Sequence, residues 1–94
     1  MANDRRYTTV KKLIAGGNLS SFQEIFDTVP KTVVARDLGM NNTRLTKLVN
    51  NPGLFWIRDI YRLADFIEID ALFLLRLIDE ELKKEKEVNS RGKK

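Results

Sequence analysis

The sequence predicts an all-α protein, a compact bundle of about five short helices around a central helix-turn-helix. Apolar residues recur at intervals of three and four, as they do on the buried face of a helix. Glycine, proline and asparagine separate these periodic segments, and polar residues suited to helix caps stand where segments begin. With 94 residues and a hydrophobic content of 43%, the chain can build one small core.

The central element is the segment 31–50, which is typical of two helices separated by a tight turn. Gly39 can end the first helix in a left-handed conformation, because glycine has no Cβ to clash. Asn41 suits the N-cap of the second helix, since its side-chain oxygen can accept from free backbone N–H groups. The second helix runs roughly over 42–50 and turns three apolar residues to one face: Leu45, Leu48 and Val49. Its opposite face is polar, nearly free of acid and rich in groups that pair with base edges.

Two helices are expected before this segment. The first runs from Thr8 or Thr9 to Ala15, where a pair of glycines ends it. A capping box formed by Ser21 and Glu24 starts the second, which a proline separates from the central segment.

A longer helix follows the central segment after a loop of asparagine, proline and glycine. It is expected from Leu54 or Phe55 to Glu68. Trp56, the single tryptophan, is expected to be partly buried at the edge of the core.

Asp70 is suited to cap the last helix, which is expected over 71–84. Apolar groups stand nearly all round it, more than one buried face can use: Leu72, Phe73, Leu74, Leu75, Leu77 and Ile78. The apolar side chains that the core does not use are compatible with either of two structures. One is a cover formed by the N-terminal helix, and the other is a homodimer seam through Leu72, Phe73, Leu75 and Leu82.

The chain is therefore expected to have three parts: an N-terminal arm and short helix (1–19), a helix-turn-helix domain (20–84) and a disordered charged tail (85–94). Residues up to Thr9 are expected to be loose. There, Arg5 and Arg6 form either a small basic arm that reaches along a nucleic acid or a frayed, solvated terminus.

The positive charge is concentrated around the central segment. The net charge is +4, and from Lys31 to Arg58 five basic residues stand against one acid. From Tyr61 to the end the chain has eight basic and eight acidic residues. A basic field over one face is typical of proteins that bind polyanions, although a solvated basic surface gives the same count.

The central segment resembles the lambda-repressor-like (Cro/C1, or Xre) helix-turn-helix family. The resemblance covers about residues 20 to 80 and is carried by these positions: Ala35, Leu38, Gly39, Met40, Leu45, Leu48, Asn50, Pro52, Leu63, Ala64, Ile69 and Asp70. It implies binding to double-stranded DNA, with the second motif helix in the major groove, a docking geometry taken from that family. One position departs from the pattern, since Lys31 stands where the family usually has glutamine.

Residue chemistry assigns base contacts to four side chains: Asn42, Thr43, Arg44 and Lys47. Asparagine can bond adenine through two hydrogen bonds, while arginine and lysine pair with guanine. The resemblance implies base reading at three of these positions: Asn42, Thr43 and Lys47. Phosphate contacts are expected from a second set, Lys31, Thr32, Asn41, Thr46, Asn50 and Asn51. Each of these residues can also be an ordinary exposed polar residue.

Other classes of function find little support in the composition. Without cysteine or histidine, disulfides and Cys- or His-based metal sites and catalysis are excluded. The carboxylates are scattered, so we expect no enzyme and no cofactor. No apolar run approaches the ~20 residues of a membrane span, and the polar N-terminus is unlike a secretory signal. A cytoplasmic, nucleoid-associated protein is expected.

Two functions remain in competition. The first is a sequence-specific DNA-binding regulator of transcription or of a mobile element, repressor-like and dimeric. The second is a protein-interaction module, such as the antitoxin of a toxin–antitoxin pair or an assembly adaptor, which would use the apolar last helix against a partner.

Overall fold

The computed structural model describes the backbone of residues 4–92 and the side chains of residues 4–84. Over this range the chain is helical and has no strand, so the all-α prediction is confirmed. Its six α-helices are α1 (Arg5–Ala15), α2 (Ile25–Thr28), α3 (Lys31–Leu38), α4 (Asn42–Asn50), α5 (Ile57–Ile67) and α6 (Ala71–Gly92). Single turns of 3-10 helix, Phe22–Glu24 and Pro52–Leu54, precede α2 and α5. None of the helices within residues 4–92 is long and apolar enough to cross a membrane.

One apolar core joins these elements. Five side chains from five different elements are fully buried in it: Phe22, Ile25, Leu45, Leu63 and Leu74. The ring centre of Phe22 lies 5.5 Å from those of both Phe26 and Phe55, so an aromatic cluster ties the α2 region to the loop before α5. Rings at this separation attract one another beyond the area that they bury.

The turn between α3 and α4 has the predicted geometry. Gly39 adopts φ 74°, in the left-handed region. The amides of Gly39 and Met40 donate to carbonyls of the last turn of α3, at 3.2 and 2.9 Å. Asn41 caps α4, because its Oδ1 accepts from the Arg44 amide at 2.7 Å. From α5, Arg62 donates to the carbonyls of residues 37 and 38 and so connects α5 to the end of α3. Local sequence patterns do not predict these bonds.

The N-terminal segment differs from the prediction. Helix α1 begins at Arg5, not at Thr8 or Thr9, because the Asp4 carboxylate accepts from the Arg6 amide at 2.9 Å. The same carboxylate pairs with the Arg6 guanidinium at 2.7 Å, and these bonds hold the pKa of Asp4 well below its usual range. Arg5 and Arg6 therefore lie on a helix, not on a loose arm. Residues 1–3 of the expected arm lie outside the described range.

Helix α1 contributes to the core and is not a separate N-terminal segment. Tyr7 and Val10 are buried, and the helix packs against α2 and α5. The alternative in which α1 covers the surplus apolar face of α6 is not how the helix packs. The buried side of α1 completes the same core as the helices of residues 20–84.

Three further helix boundaries also differ. Helix α5 begins at Ile57, not at Leu54 or Phe55. The capping bonds before α2 are made by Ser20, whose amide and hydroxyl both donate to the Glu24 carboxylate, whereas the predicted Ser21 makes no such bond. Helix α6 continues to Gly92, so the tail expected over 85–94 is helical as far as that residue. Its glutamate and lysine residues are strong helix formers, which explains the extension. Residues 93 and 94 lie outside the described range.

Candidate nucleic-acid interface

Helix α4 presents its polar face to solvent. All four side chains assigned to base contacts are exposed, namely Asn42, Thr43, Arg44 and Lys47. Its three apolar residues are buried, and Leu45 is 0% exposed. Because burial of this face fixes the rotation of the helix, the polar face has to point outward.

The expected phosphate contacts surround α4, and their exposure differs. Thr32, Asn50 and Asn51 are exposed, whereas Lys31 and Thr46 are half-buried. Asn41 is exposed as well, but its side-chain oxygen is used to cap α4, which leaves its amide group for a donor role. The Gln23 amide donates to the Val49 carbonyl at 3.0 Å and attaches the end of α4 to the α2 region.

The carboxylate nearest in sequence to this surface is turned away from it. Asp37 is the one acid between Lys31 and Arg58, and its side chain is 13% exposed. It accepts a hydrogen bond from the buried Tyr7 hydroxyl at 2.8 Å. The next acid, Asp59, is buried at the first turn of α5. The positive field of the exposed lysine and arginine side chains is therefore little opposed at the surface.

Trp56 is more exposed than the sequence predicts. It was expected to be partly buried, yet it is 53% exposed and precedes α5 as its N-cap residue. The guanidinium carbon of Arg44 lies 5.3 Å from its ring centre, and that of Arg58 lies 4.7 Å from it. Both distances are in the range of a cation–π contact. Arg44 and Trp56 are twelve positions apart, so no helical periodicity could have paired them.

A cavity of about 350 Å³ opens beside this group. It lies between the α3–α4 turn and the start of α5, and it is lined by Leu38, Gly39, Met40, Arg44, Trp56, Arg58, Asp59 and Arg62. Three of these residues carry a guanidinium and one carries a carboxylate. The cavity therefore has a net positive lining next to the exposed face of α4.

No protein-family model, curated protein or solved structure matches this chain. What the site does must therefore be argued from its own geometry and chemistry.

The expected dimer seam on α6 is only partly exposed. Leu72 is 58% exposed and Leu82 is 44% exposed, but Phe73 and Leu75 are half-buried against the core. Leu54 and Ile57, each 66% exposed, were not predicted as part of this surface. Ile57 and Leu82 line one shallow groove of about 250 Å³ between α6 and the loop before α5.

Proposed function

We propose that this protein binds double-stranded DNA in a sequence-specific manner and acts as a repressor-like regulator of transcription or of a mobile element. Helix α4 enters the major groove. The observation that supports this most is the exposed polar face of α4, which carries amide, hydroxyl, guanidinium and ammonium groups while the neighbouring acids are buried or half-buried. These are the groups that pair with base edges.

Roles follow from position along α4. Asn42, in the first turn, is suited to two hydrogen bonds with adenine, and Lys47 reaches guanine one and a half turns later. Thr43 supplies a hydroxyl and a methyl group, and the methyl group can meet that of thymine. Thr32, Asn50 and Asn51 lie at the two ends of the motif, where contacts to phosphates would fix its register.

The test is a selection of bound fragments from random duplex DNA, followed by titration of the selected duplex and a scrambled duplex. Lys47→Ala should reduce the preference for the selected duplex by about tenfold, since one good base contact contributes roughly 1–3 kcal/mol of discrimination. Arg76→Ala, which removes an exposed cation from α6, is the matched control and should keep the preference. Equal behaviour of the two variants would show that α4 is not the reading helix.

We also propose a homodimer through the exposed end of α6 and the loop before α5, because a two-fold protein suits a palindromic site. Leu54, Ile57 and Leu82, which line two adjoining grooves, supply the apolar contact surface. Leu72, which is also exposed, lies about 15 Å before Leu82 along α6 and would extend this surface. Phe73 and Leu75, which are half-buried against the core, would contribute only the exposed part of their side chains.

The same apolar surface favours a second function, a protein-interaction module such as an antitoxin or an assembly adaptor. Several large aliphatic side chains are exposed together on it. Single exposed apolar residues are common on protein surfaces, whereas a group of them is typical of an interaction site. Salt separates the two functions. A chain that binds no duplex even at ~50 mM salt would favour the interaction module, since phosphate neutralisation makes DNA affinity highest at low salt.

A further inference from the structure

The cavity beside α4 gathers more positive charge than base reading requires. Arg62 is already engaged there, because its two terminal nitrogens donate to main-chain carbonyls at 3.0 and 3.2 Å. It also lies 3.9 Å from the Asp59 carboxylate, which it balances. The ion pairs of the described residues involve neither Arg44 nor Arg58. These two guanidiniums are the excess charge of the cavity.

Trp56 is in contact with both of these guanidiniums. Both lie over the same ring, 5.3 and 4.7 Å from its centre. Both guanidiniums also line the cavity, so two like charges without a carboxylate partner among the described ion pairs stand at one site, and an anion in the cavity would be attracted to both. Since Trp56 is half-exposed, its ring adds little to the core and serves mainly as a surface on which the arginines lie.

We propose that this cavity is a phosphate-binding site, in which Arg44 and Arg58 bind one phosphate group and Trp56 is the positioning residue that holds them. Guanidinium groups match the oxygens of a phosphate in shape and charge. The phosphate comes either from the DNA backbone, which rests on the proposed function, or from a free phosphate compound. Arg44 is thereby reassigned from base contact to phosphate contact, and Asn42, Thr43 and Lys47 remain to read bases.

The first experiment needs no DNA. Trp56 is the single tryptophan, so its emission reports directly on the cavity. Titration of the full chain with inorganic pyrophosphate, at constant ionic strength, should give a saturable change in this emission. Arg44→Gln and Arg58→Gln should each weaken the apparent affinity by about tenfold, as expected for a lost charged hydrogen bond. Arg76→Gln is the matched control and should titrate like the unchanged protein.

A second measurement tests the positioning role. Trp56→Leu removes the aromatic ring and keeps an apolar side chain, so binding is followed by the ³¹P NMR signal of pyrophosphate. The affinity should fall by about two- to fivefold per guanidinium released, the range for exposed cation–π contacts. Trp56→Phe should recover part of it. A structural role would predict equal effects for Leu and Phe, and circular dichroism checks that each variant remains helical.

The source of the phosphate is decided with the selected duplex. If it is the DNA backbone, Arg58→Gln should weaken binding to all sequences alike and lower the salt slope by about one. If pyrophosphate binds but no duplex does, the site stands with a free ligand and the DNA-binding proposal fails. If pyrophosphate gives no saturable change, or if the arginine variants titrate like Arg76→Gln, the phosphate site is refuted whatever the DNA result.

Discussion

Tyr7 connects two parts of the chain that are thirty positions apart. Its ring packs 5.6 Å from that of Phe66, and its hydroxyl donates to the Asp37 carboxylate at 2.8 Å. This bond holds α1 against α3 and engages Asp37, the one acid between Lys31 and Arg58. A single hydroxyl therefore serves both the stability of the domain and the charge of its surface.

Tyr7→Phe should lower the free energy of unfolding by about 1.5–3 kcal/mol, the range for a hydrogen bond to a charged group. The measurement is urea unfolding followed by circular dichroism. Tyr61→Phe is the matched control, because Tyr61 is 51% exposed and its change should stay within about 0.5 kcal/mol. Equal stabilities of the two variants would mean that the bond to Asp37 does not form.

The same hydroxyl predicts a dependence on alkaline pH. Burial, together with the Asp37 carboxylate, raises the pKa of Tyr7 above its ordinary value of 10.0. The folded state therefore keeps the proton at pH values where the unfolded state releases it. The contribution of this hydroxyl to stability is fully present below pH 10 and is lost as the pH rises further. Unfolding curves at increasing pH should show a steeper loss for the unchanged protein than for Tyr7→Phe. Parallel losses would contradict the shift.

Glu68 is the one non-glycine residue with positive φ, 66°, among the residues that the structure describes. It ends α5 in the left-handed region, where a side chain is strained and glycine is not. Glu68→Gly should stabilise the protein by about 1 kcal/mol. The exposed pair that it makes with Lys11, at 3.5 Å, contributes little against this gain.

Thermal unfolding measures this effect. Glu80→Gly, in the interior of α6, provides the contrast and should destabilise by about 1 kcal/mol. A loss of stability in both variants would show that the ion pair with Lys11 outweighs the backbone strain.

At the scale of the element, α4 depends on Asn41 for its start. Asn41→Ala removes the side-chain bond to the Arg44 amide and should cost about 1 kcal/mol of stability. Asn41→Asp should keep the cap and the stability, yet weaken the proposed DNA binding, because it puts a negative charge among the proposed phosphate contacts. Calorimetry and a duplex titration on the same two samples separate these effects. An aspartate variant that binds duplex as well as the unchanged protein would remove residue 41 from the interface.

What could be predicted from sequence was local. The Gly39 turn, the Asn41 cap and the two faces of α4 depend on residues within one or two helical turns, so periodicity and cap chemistry suffice. The exposure of Trp56 was underestimated because it depends on where α5 begins, after a 3-10 turn, and its contact with Arg44 depends on tertiary packing. The start of α1 was missed for a related reason: its cap, Asp4, stands in a charged segment that has no apolar period before Tyr7.

At the scale of the whole molecule, the two proposed surfaces differ in chemistry. The α3–α4 region is cationic and polar, whereas Leu54, Ile57 and Leu82 form an apolar surface near the groove along α6. If this surface pairs two copies, Leu82→Glu should convert a dimer to a monomer in sedimentation equilibrium and weaken binding to a palindromic duplex. Leu82 is 44% exposed, so the fold should be kept. Glu80→Lys is a charge control on the same helix, and a dimer that persists in Leu82→Glu would place the contact elsewhere.

We propose that the outward face of α4 is the DNA-binding surface, and the most direct test maps the residues that contact DNA. Amide ¹H–¹⁵N NMR spectra of the full chain should be recorded while the selected duplex is added. We predict that the largest shifts fall on residues 41–51, 56 and 58, with α6 little changed beyond any dimer contact. Shifts confined to 54, 57 and 72–82, with α4 unchanged, would contradict the account and favour a protein-interaction module.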